Sequence, residues 1–384
     1  MRIGIDVRYL SHGLVGGVHT YISQFVPALI DLTGDHQLFL YADDKQPFEI
    51  TDLPNHVTLR ILPWRNALSS IRHDLFLAQV MAGDHLDVAH FPANYGFGPA
   101  GARTVITLHD AINILPWREI IRGHRKQLRT MTMMSYLHWM SLIAVRKADL
   151  LLTVSKHAQR EIAHHSGLPL DKIVPIPHAP TGDLKRVTAP NVLQRVRTRY
   201  GLRKPFVLAD GLKNPAALVA AWQRLPAEVT ESREIVFFTR HPEPLPSVDS
   251  AVAEGIARRL VYPPREDLIA LYSMAEAFVF PSWIEGFGLP IIEAMTCGAP
   301  VIASDRGAIP EVVGDAGLLA DAEDADGFAH HLSKVLLSPD LATTLQNRGF
   351  LRAAQFSWQR TAQQILDSYQ RTVHPTEQPV FAHG

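Results

Sequence analysis

Cysteine is nearly absent from this chain: Cys297 is the only one in 384 residues. One thiol excludes an intrachain disulfide and leaves no cysteine cluster for zinc, the usage of a chain kept in a reducing compartment. Its place just before Gly298 suits a helix end, where it reads as a small buried apolar side chain. A charge excess of either sign is missing too. With 37 Lys and Arg against 38 Asp and Glu, the net charge is −1, so no global field recruits nucleic acid. No hydrophobic run is long. The most apolar stretch, 131–145, holds about fifteen residues and includes His138, too short for a membrane span. Met1 leads directly into Arg2-Ile3-Gly4-Ile5-Asp6-Val7, a strand pattern, so no secretory leader and a cytoplasmic location are expected.

The composition is that of a globular protein with an ample core, 47% hydrophobic and 20% charged. The length suggests two domains of roughly 180 residues each. Apolar runs alternate with helical periodicity. Strands are predicted at 2–7, 37–41, 58–62, 88–91, 104–108 and 150–154, and helices at 18–32, 71–81, 126–145 and 156–166. A Pro-rich passage, Pro175 to Pro180 and Thr188-Ala189-Pro190, reads as a linker. Strands resume at 206–209, 235–239, 259–262, 277–280, 300–304 and 317–320. This alternation predicts two doubly wound parallel sheets, whose ligands lie beyond the carboxyl ends of the strands. The halves share a pattern without a residue-level repeat. A final helix is expected at 358–373 and a loose tail at 374–384.

One segment carries most of the chemistry. After the apolar strand 277–280 come Pro281-Ser282-Trp283-Ile284-Glu285-Gly286-Phe287-Gly288-Leu289-Pro290-Ile291-Ile292-Glu293, two carboxylates separated by seven residues around a Gly-rich turn that opens a helix. Gly286 and Gly288 permit the turn, and Pro290 suits a first helical position. The amides of Gly288 and Leu289 then point, with the positive end of the helix dipole, at an anion such as a diphosphate. Glu285 lies in the turn and Glu293 on the helix, placed to reach a sugar and a ribose respectively. Together with Ala294-Met295-Thr296-Cys297-Gly298-Ala299-Pro300-Val301, this block resembles the donor-site signature of retaining GT-B glycosyltransferases, family 4.

That resemblance implies a GT-B fold, two Rossmann-like domains facing across a cleft: 1–180 on the acceptor side, 181–357 binding the nucleotide sugar, and the 358–373 helix packing back on the first. It also implies that Lys213, beside Asn214, holds the donor diphosphate. The family usually places an arginine about five residues earlier, where this chain has Leu208. Arg240, ending the strand at 235–239, is either its replacement or an exposed loop arginine. Thr107-Leu108-His109-Asp110 resembles the histidine turn whose imidazole contacts the donor sugar near the reacting carbon; Asp110 is expected to fix the loop, and His90 is a weaker candidate. Gly16 and Gly17 correspond to a loop bordering donor phosphate and acceptor. Ser155 reads as a helix N-cap.

No cofactor or metal is implied. Asp324-Ala325-Asp326 has a D-x-D form but precedes a helix, where acids favour the N-terminus. The activity implied is metal-independent hexosyl transfer from a nucleotide-diphosphate sugar, GDP-mannose or a UDP-hexose, to a saccharide or lipid-linked saccharide in surface-polysaccharide assembly. The opening Arg2 to Arg8 resembles mannosyltransferases of that class, which puts GDP-mannose first. The missing arginine, and Pro177-His178-Ala179-Pro180-Thr181-Gly182 in place of the family's asparagine-glycine-valine-aspartate, leave open a non-catalytic sugar-nucleotide-binding subunit. The basic, apolar run Trp117 to Arg129 is either a lipid-facing segment on the inner face of the membrane or a solvated surface.

Overall fold

The computed structural model describes residues 1–12, 17–46, 53–121 and 128–375. The chain separates into two compact units, one comprising Met1–His178 with Trp358–Gly384, the other Ala179–Ser357.

In the first unit seven strands form one parallel sheet in the order β3-β2-β1-β4-β5-β6-β7. They are β1 (Arg2–Asp6), β2 (Gln37–Asp43), β3 (Val57–Leu62), β4 (Val88–Phe91), β5 (Arg103–Thr107), β6 (Leu150–Thr153) and β7 (Ile173–Pro175). Helices cover both faces of a sheet of this kind, which explains why its strands read as near-continuous apolar runs: Ile3, Ile5, Leu38, Leu40 and Val88 are all fully buried. The seventh strand is absent from the sequence-based expectation. It is three residues long and ends in Pro175, a pattern that reads as a turn, and proline is tolerated there because β7 is an edge.

The helix Gly17–Leu32 buries Tyr21, Ile22, Phe25, Val26 and Leu29, positions one helical turn apart. Against it packs the helix Trp358–Val373, which buries Trp358, Ala362, Ile365, Leu366 and Tyr369 at the same period. Thr361 Oγ1 donates to the Pro177 carbonyl at 2.8 Å, and Tyr369 Oη lies 2.6 Å from His90 Nδ1, so the chain's last helix is stitched into the first unit at both ends.

The second unit holds β8 (Phe206–Asp210), β9 (Glu234–Thr239), β10 (Ala257–Val261), β11 (Ala277–Phe280), β12 (Val301–Ser304) and β13 (Gly317–Ala320). Their order is β10-β9-β8-β11-β12-β13, all parallel, the arrangement of a dinucleotide-fold sheet. Strand order reverses between β8 and β11, which opens a crevice at their carboxyl ends. The end of the Pro-rich passage is not loose. Val187 N donates to Ser273 Oγ at 2.9 Å, and Pro190 starts the helix Pro190–Tyr200. That helix is anchored by Arg199 and Tyr200, both bonded to the fully buried Asp267, at 2.9 and 2.8 Å. No helix among the described residues is long and apolar enough to cross a membrane.

Candidate functional site

Two loops meet where β8 and β11 end. After β8, Asp210 Oδ1 accepts from Leu212 N at 2.9 Å and bends the chain so that Lys213 follows within one turn. Asn214 takes a left-handed conformation, φ 52°, and opens the helix Pro215–Trp222. Both donors of its side-chain amide are spent on carbonyls, Pro281 and Ala322 at 3.0 Å each, which binds the β8 loop to the β11 loop. After β11, Ser282 Oγ donates to Glu285 Oε1 at 2.8 Å, and Lys213 Nζ lies 2.7 Å from the same oxygen. Glu285 Oε2 has no partner among the described residues, so it is open to accept hydroxyl protons.

The backbone of Glu285 is held from behind. Ala308 N donates to its carbonyl at 3.0 Å, and Gly307, with φ 61°, passes so close that a Cβ there would sit 2.6 Å from that oxygen. Any other residue at 307 would push the turn outwards. Gly288, φ 102°, caps the helix Leu289–Cys297; Pro290 occupies its second position rather than the first, and Gly298 closes it with φ 85°. First-turn amides have no helical acceptor, and those of Gly288 and Leu289 make no hydrogen bond among the described residues, so they remain available to an anion. Gly286 is half-buried in the turn. Phe287 turns inward instead, edge-on to Phe356 at 5.9 Å between ring centres, and serves packing.

Glu293 Oε1 lies 3.8 Å from Arg265 Nη1. Burial holds its carboxyl above the ordinary range, while Arg265 and Arg240 work against that shift. Asp210 is raised for the same reason, burial, with the Leu212 amide, Arg240 and Lys213 opposing it. The crevice is thus acidic and partly dry, conditions in which each cation nearby counts. Sequence reasoning missed Asp210, Ser282 and Arg265. Of these only Asp210 had a local signal, an acid directly before Gly211 at a strand end.

In the first unit His109 follows β5. Asn94, in a left-handed turn with φ 71°, accepts from His109 N at 3.0 Å and itself donates from its backbone to the Thr107 carbonyl. His109 Nε2 lies 2.9 Å from the Pro92 carbonyl. A carbonyl only accepts, so Nε2 carries the proton and Nδ1 of the neutral ring offers a lone pair. Burial pushes the His109 pKa down to about 4, with the Pro92 bond opposing. His109 is packed edge-on to Tyr21 at 5.0 Å and to His178 at 5.4 Å, and Tyr21 stacks on His178 at 4.8 Å. Burial pushes His90 down to about 3 and His178 well below its ordinary value, with the charge of His109 adding to both. His90 is spoken for structurally, between Thr107 Oγ1 at 2.8 Å and Tyr369. Neither Tyr21 nor His178 carried a sequence signal, because the stack joins a helix to distant loops.

At the β1 end, Arg8 is clamped by Asp6 at 2.7 Å and Asp74 at 3.0 Å, and Tyr95 and Tyr136 donate to the other Asp74 oxygen at 2.9 and 2.7 Å. Gly16 lies outside the described residues. Gly17 begins its helix with open space where a Cβ would stand, so protein packing does not demand glycine there. Asp110 Oδ1 accepts from Ile112 N and fixes its loop, and Ser155 caps the helix Lys156–Ser166. Asp324 caps the helix Ala325–Leu337 while Asp326 pairs with Arg224 at 2.7 Å. Cys297 is buried, its thiol pushed up to about 12 by burial.

Comparison with known proteins agrees with this fold. Residues 208–338 match the model of the family described as Glycosyl transferases group 1, and residues 15–179 that of Glycosyltransferase Family 4. The O-antigen chain mannosyltransferase B of Escherichia coli is 34% identical over 294 residues, covering 74% of this chain and 75% of that protein. The serotype-specific mannosyltransferase WbdA of Escherichia coli is 26% identical over 386 residues, 95% of this chain but only 45% of that longer protein. Among solved structures, sucrose-phosphate synthase from Thermosynechococcus elongatus superposes with a TM-score of 0.70 at 20% identity, over 98% of this chain and 100% of that one. At that identity the likeness speaks for the fold, which is GT-B.

The buried imidazoles generate a pH dependence. Their folded pKa values lie below the unfolded value of about 6.5, so the unfolded chain binds more protons in between and stability rises with pH there. This contribution is complete above about pH 6.5 and is lost as pH falls towards 4, at up to about 1.4 kcal/mol per pH unit for each imidazole. Thermal unfolding of the whole chain is expected to shift to lower temperature between pH 6.5 and 4.5. An unchanged Tm over that window would contradict the burial of neutral histidines.

Proposed function

The chain belongs to the group 1, family 4 glycosyltransferases, and from that premise we propose that it transfers a hexose, with retention, from a nucleoside diphosphate sugar to a saccharide hydroxyl. Mannose from GDP-mannose is the first donor assignment, supported by the names of its mannosyltransferase relatives. Surface-polysaccharide or lipid-linked glycan synthesis is the setting that those names suggest. The observation that carries the reading is Lys213 on Glu285 at 2.7 Å, at the switch point of a parallel sheet and beside a helix N-terminus with unspent amides.

In this reading the diphosphate meets Lys213 and the amides of Gly288 and Leu289, which stabilise charge as the bond from the sugar's anomeric carbon to phosphate oxygen breaks. The acceptor oxygen bonds to that carbon on the same face, and its proton passes to the leaving phosphate. Glu285 orients the hexose through Oε2, because Oε1 is already engaged by Lys213 and Ser282. Those contacts favour an orienting carboxylate over a covalent nucleophile. Glu293 takes the ribose, and His109 offers Nδ1 to a sugar hydroxyl. No metal enters the scheme.

Peripheral membrane contact belongs to the same proposal. Residues 122–127 of the basic run lie outside the described residues, but the helix Ala67–Ala82 supports the idea independently. It buries His73, Leu77 and Met81 on one side and exposes Leu68, Ile71, Leu75, Phe76 and Val80 on the other. Arg72 lies within the exposed apolar arc and Arg65 just before the helix, neither with an ion pair among the described residues. A groove of about 670 Å³ flanks that face, lined by both arginines with Phe76 and Val80. Apolar side chains among unpaired arginines match the interface of an anionic bilayer.

Transfer activity is expected to survive EDTA; loss restored by manganese would contradict a metal-free site. Glu293→Gln should weaken bare nucleoside diphosphate by roughly 1–3 kcal/mol in calorimetry. Glu285→Gln should leave that affinity intact or tighter, since it releases Lys213, while turnover falls by about a hundredfold or more. Wild-type turnover in Glu285→Gln would end the catalytic reading. For the membrane surface, Arg72→Glu with Leu75→Asp should cut binding to phosphatidylglycerol vesicles by about tenfold or more at low salt. Unaltered vesicle binding by that double variant would remove the helix Ala67–Ala82 from the interface.

A further inference from the structure

The donor crevice has a charge problem. Asp210, Glu285 and Glu293 bring three acids to it, and two of the cations near them are already engaged. Lys213 is bound to Glu285 at 2.7 Å, and Arg265 is shared between Asp183 at 3.4 Å and Glu293 at 3.8 Å. A diphosphate entering such a place meets carboxylates whose cation partners Lys213 and Arg265 are already engaged, and helix-terminal amides alone offset only about half an elementary charge. Leu208 offers nothing, because it is fully buried in β8 opposite Val236.

Arg240 is differently placed. It follows β9, the strand next to β8, and is exposed, with no hydrogen bond or ion pair among the described residues. Its backbone is fixed on both sides. Thr239 is fully buried, its carbonyl accepts from Tyr262 N at 2.9 Å, and its Oγ1 donates to the His241 carbonyl at 3.2 Å. Arg259 Nη2 donates to that same carbonyl at 3.1 Å. The β9 end also touches the Lys213 loop: Gly211 N donates to the Phe238 carbonyl at 2.9 Å, and a Cβ at Gly211 would stand 2.8 Å from Thr239 Cγ2. Glycine there lets the two strand ends close up. The charge of Arg240 bears on Asp210 and Glu293, both acids of the crevice.

We propose that Arg240 is the second diphosphate-binding cation of this chain, reaching the ligand from the neighbouring strand β9 in place of a β8 arginine. The inference rests on the nucleoside diphosphate reading above. A guanidinium suits the role, since its fork can bridge oxygens of both phosphates while Lys213 acts as a point charge.

Calorimetry of the full chain with GDP, UDP and ADP, and with the nucleoside of whichever binds, tests it. Arg240→Gln should weaken the diphosphate by about tenfold to a hundredfold, the effect of a charged hydrogen bond, and leave the nucleoside unchanged. Arg240→Lys should recover much of that loss, and the salt dependence of diphosphate affinity should flatten in Arg240→Gln. Unchanged diphosphate affinity in Arg240→Gln identifies a solvated loop arginine and overturns the proposal. An equal loss for nucleoside and diphosphate overturns it as well, pointing to a fold effect. If the wild type binds no nucleoside diphosphate, the functional reading itself fails, and this inference falls with it.

Discussion

The ion pair between Lys213 and Glu285 is the contact on which the second unit's site depends. It joins two loops that the sheet delivers from adjacent strands, and it is only partly exposed, so neither charge is fully solvated. Pairs of this kind gain little net stability, because desolvation offsets the attraction between the charges. Their value lies in geometry. The lysine and Ser282 together hold one carboxylate oxygen, and the second is left without a partner among the described residues. In the proposed reaction an arriving phosphate would compete for the lysine and free the carboxylate's lone pairs for hydroxyls.

Backbone, rather than side chains, makes that pair possible. Gly211 lets β9 close on the Lys213 loop, Gly307 lets another loop press on the carbonyl of Glu285, and Gly288 turns the chain into its helix with φ 102°. Asn214 adds the cross-tie between the two loops. At the three glycines a Cβ would press on its neighbours, and at Gly288 and Gly307 the positive φ disfavours any other residue as well. Arg240, by contrast, is a long, exposed side chain with no bond among the described residues.

The sequence made this half legible for identifiable reasons. Strand, glycine turn and helix lie consecutively from 277 to 297, so local chemistry alone reveals them. The alternation of apolar runs likewise displayed twelve of the thirteen strands, because parallel strands buried on both faces are uniformly apolar. What was hidden is what depends on distance along the chain. Gly307 meets Glu285 only in the fold, Asn214 looked like a ligand group but bonds two carbonyls, and Phe287 packs inward. The three residues of β7 end in Pro175 and carry no period at all. The Tyr21–His178 contact spans most of the first unit and could not be read from either neighbourhood.

The two units share a strand order yet treat charge in opposite ways. At the crevice of the second, Lys213 with Glu285 and Arg265 with Glu293 form partly exposed ion pairs. Around His109 in the first, burial strips protons from three imidazoles, and aromatic rings replace counter-ions. A neutral ring whose Nε2 proton is committed to Pro92 can only accept through Nδ1, so it offers a lone pair and no charge. Keeping His109 neutral thus leaves the first unit with an uncharged acceptor, whereas the second unit gathers its charges where β8 and β11 end.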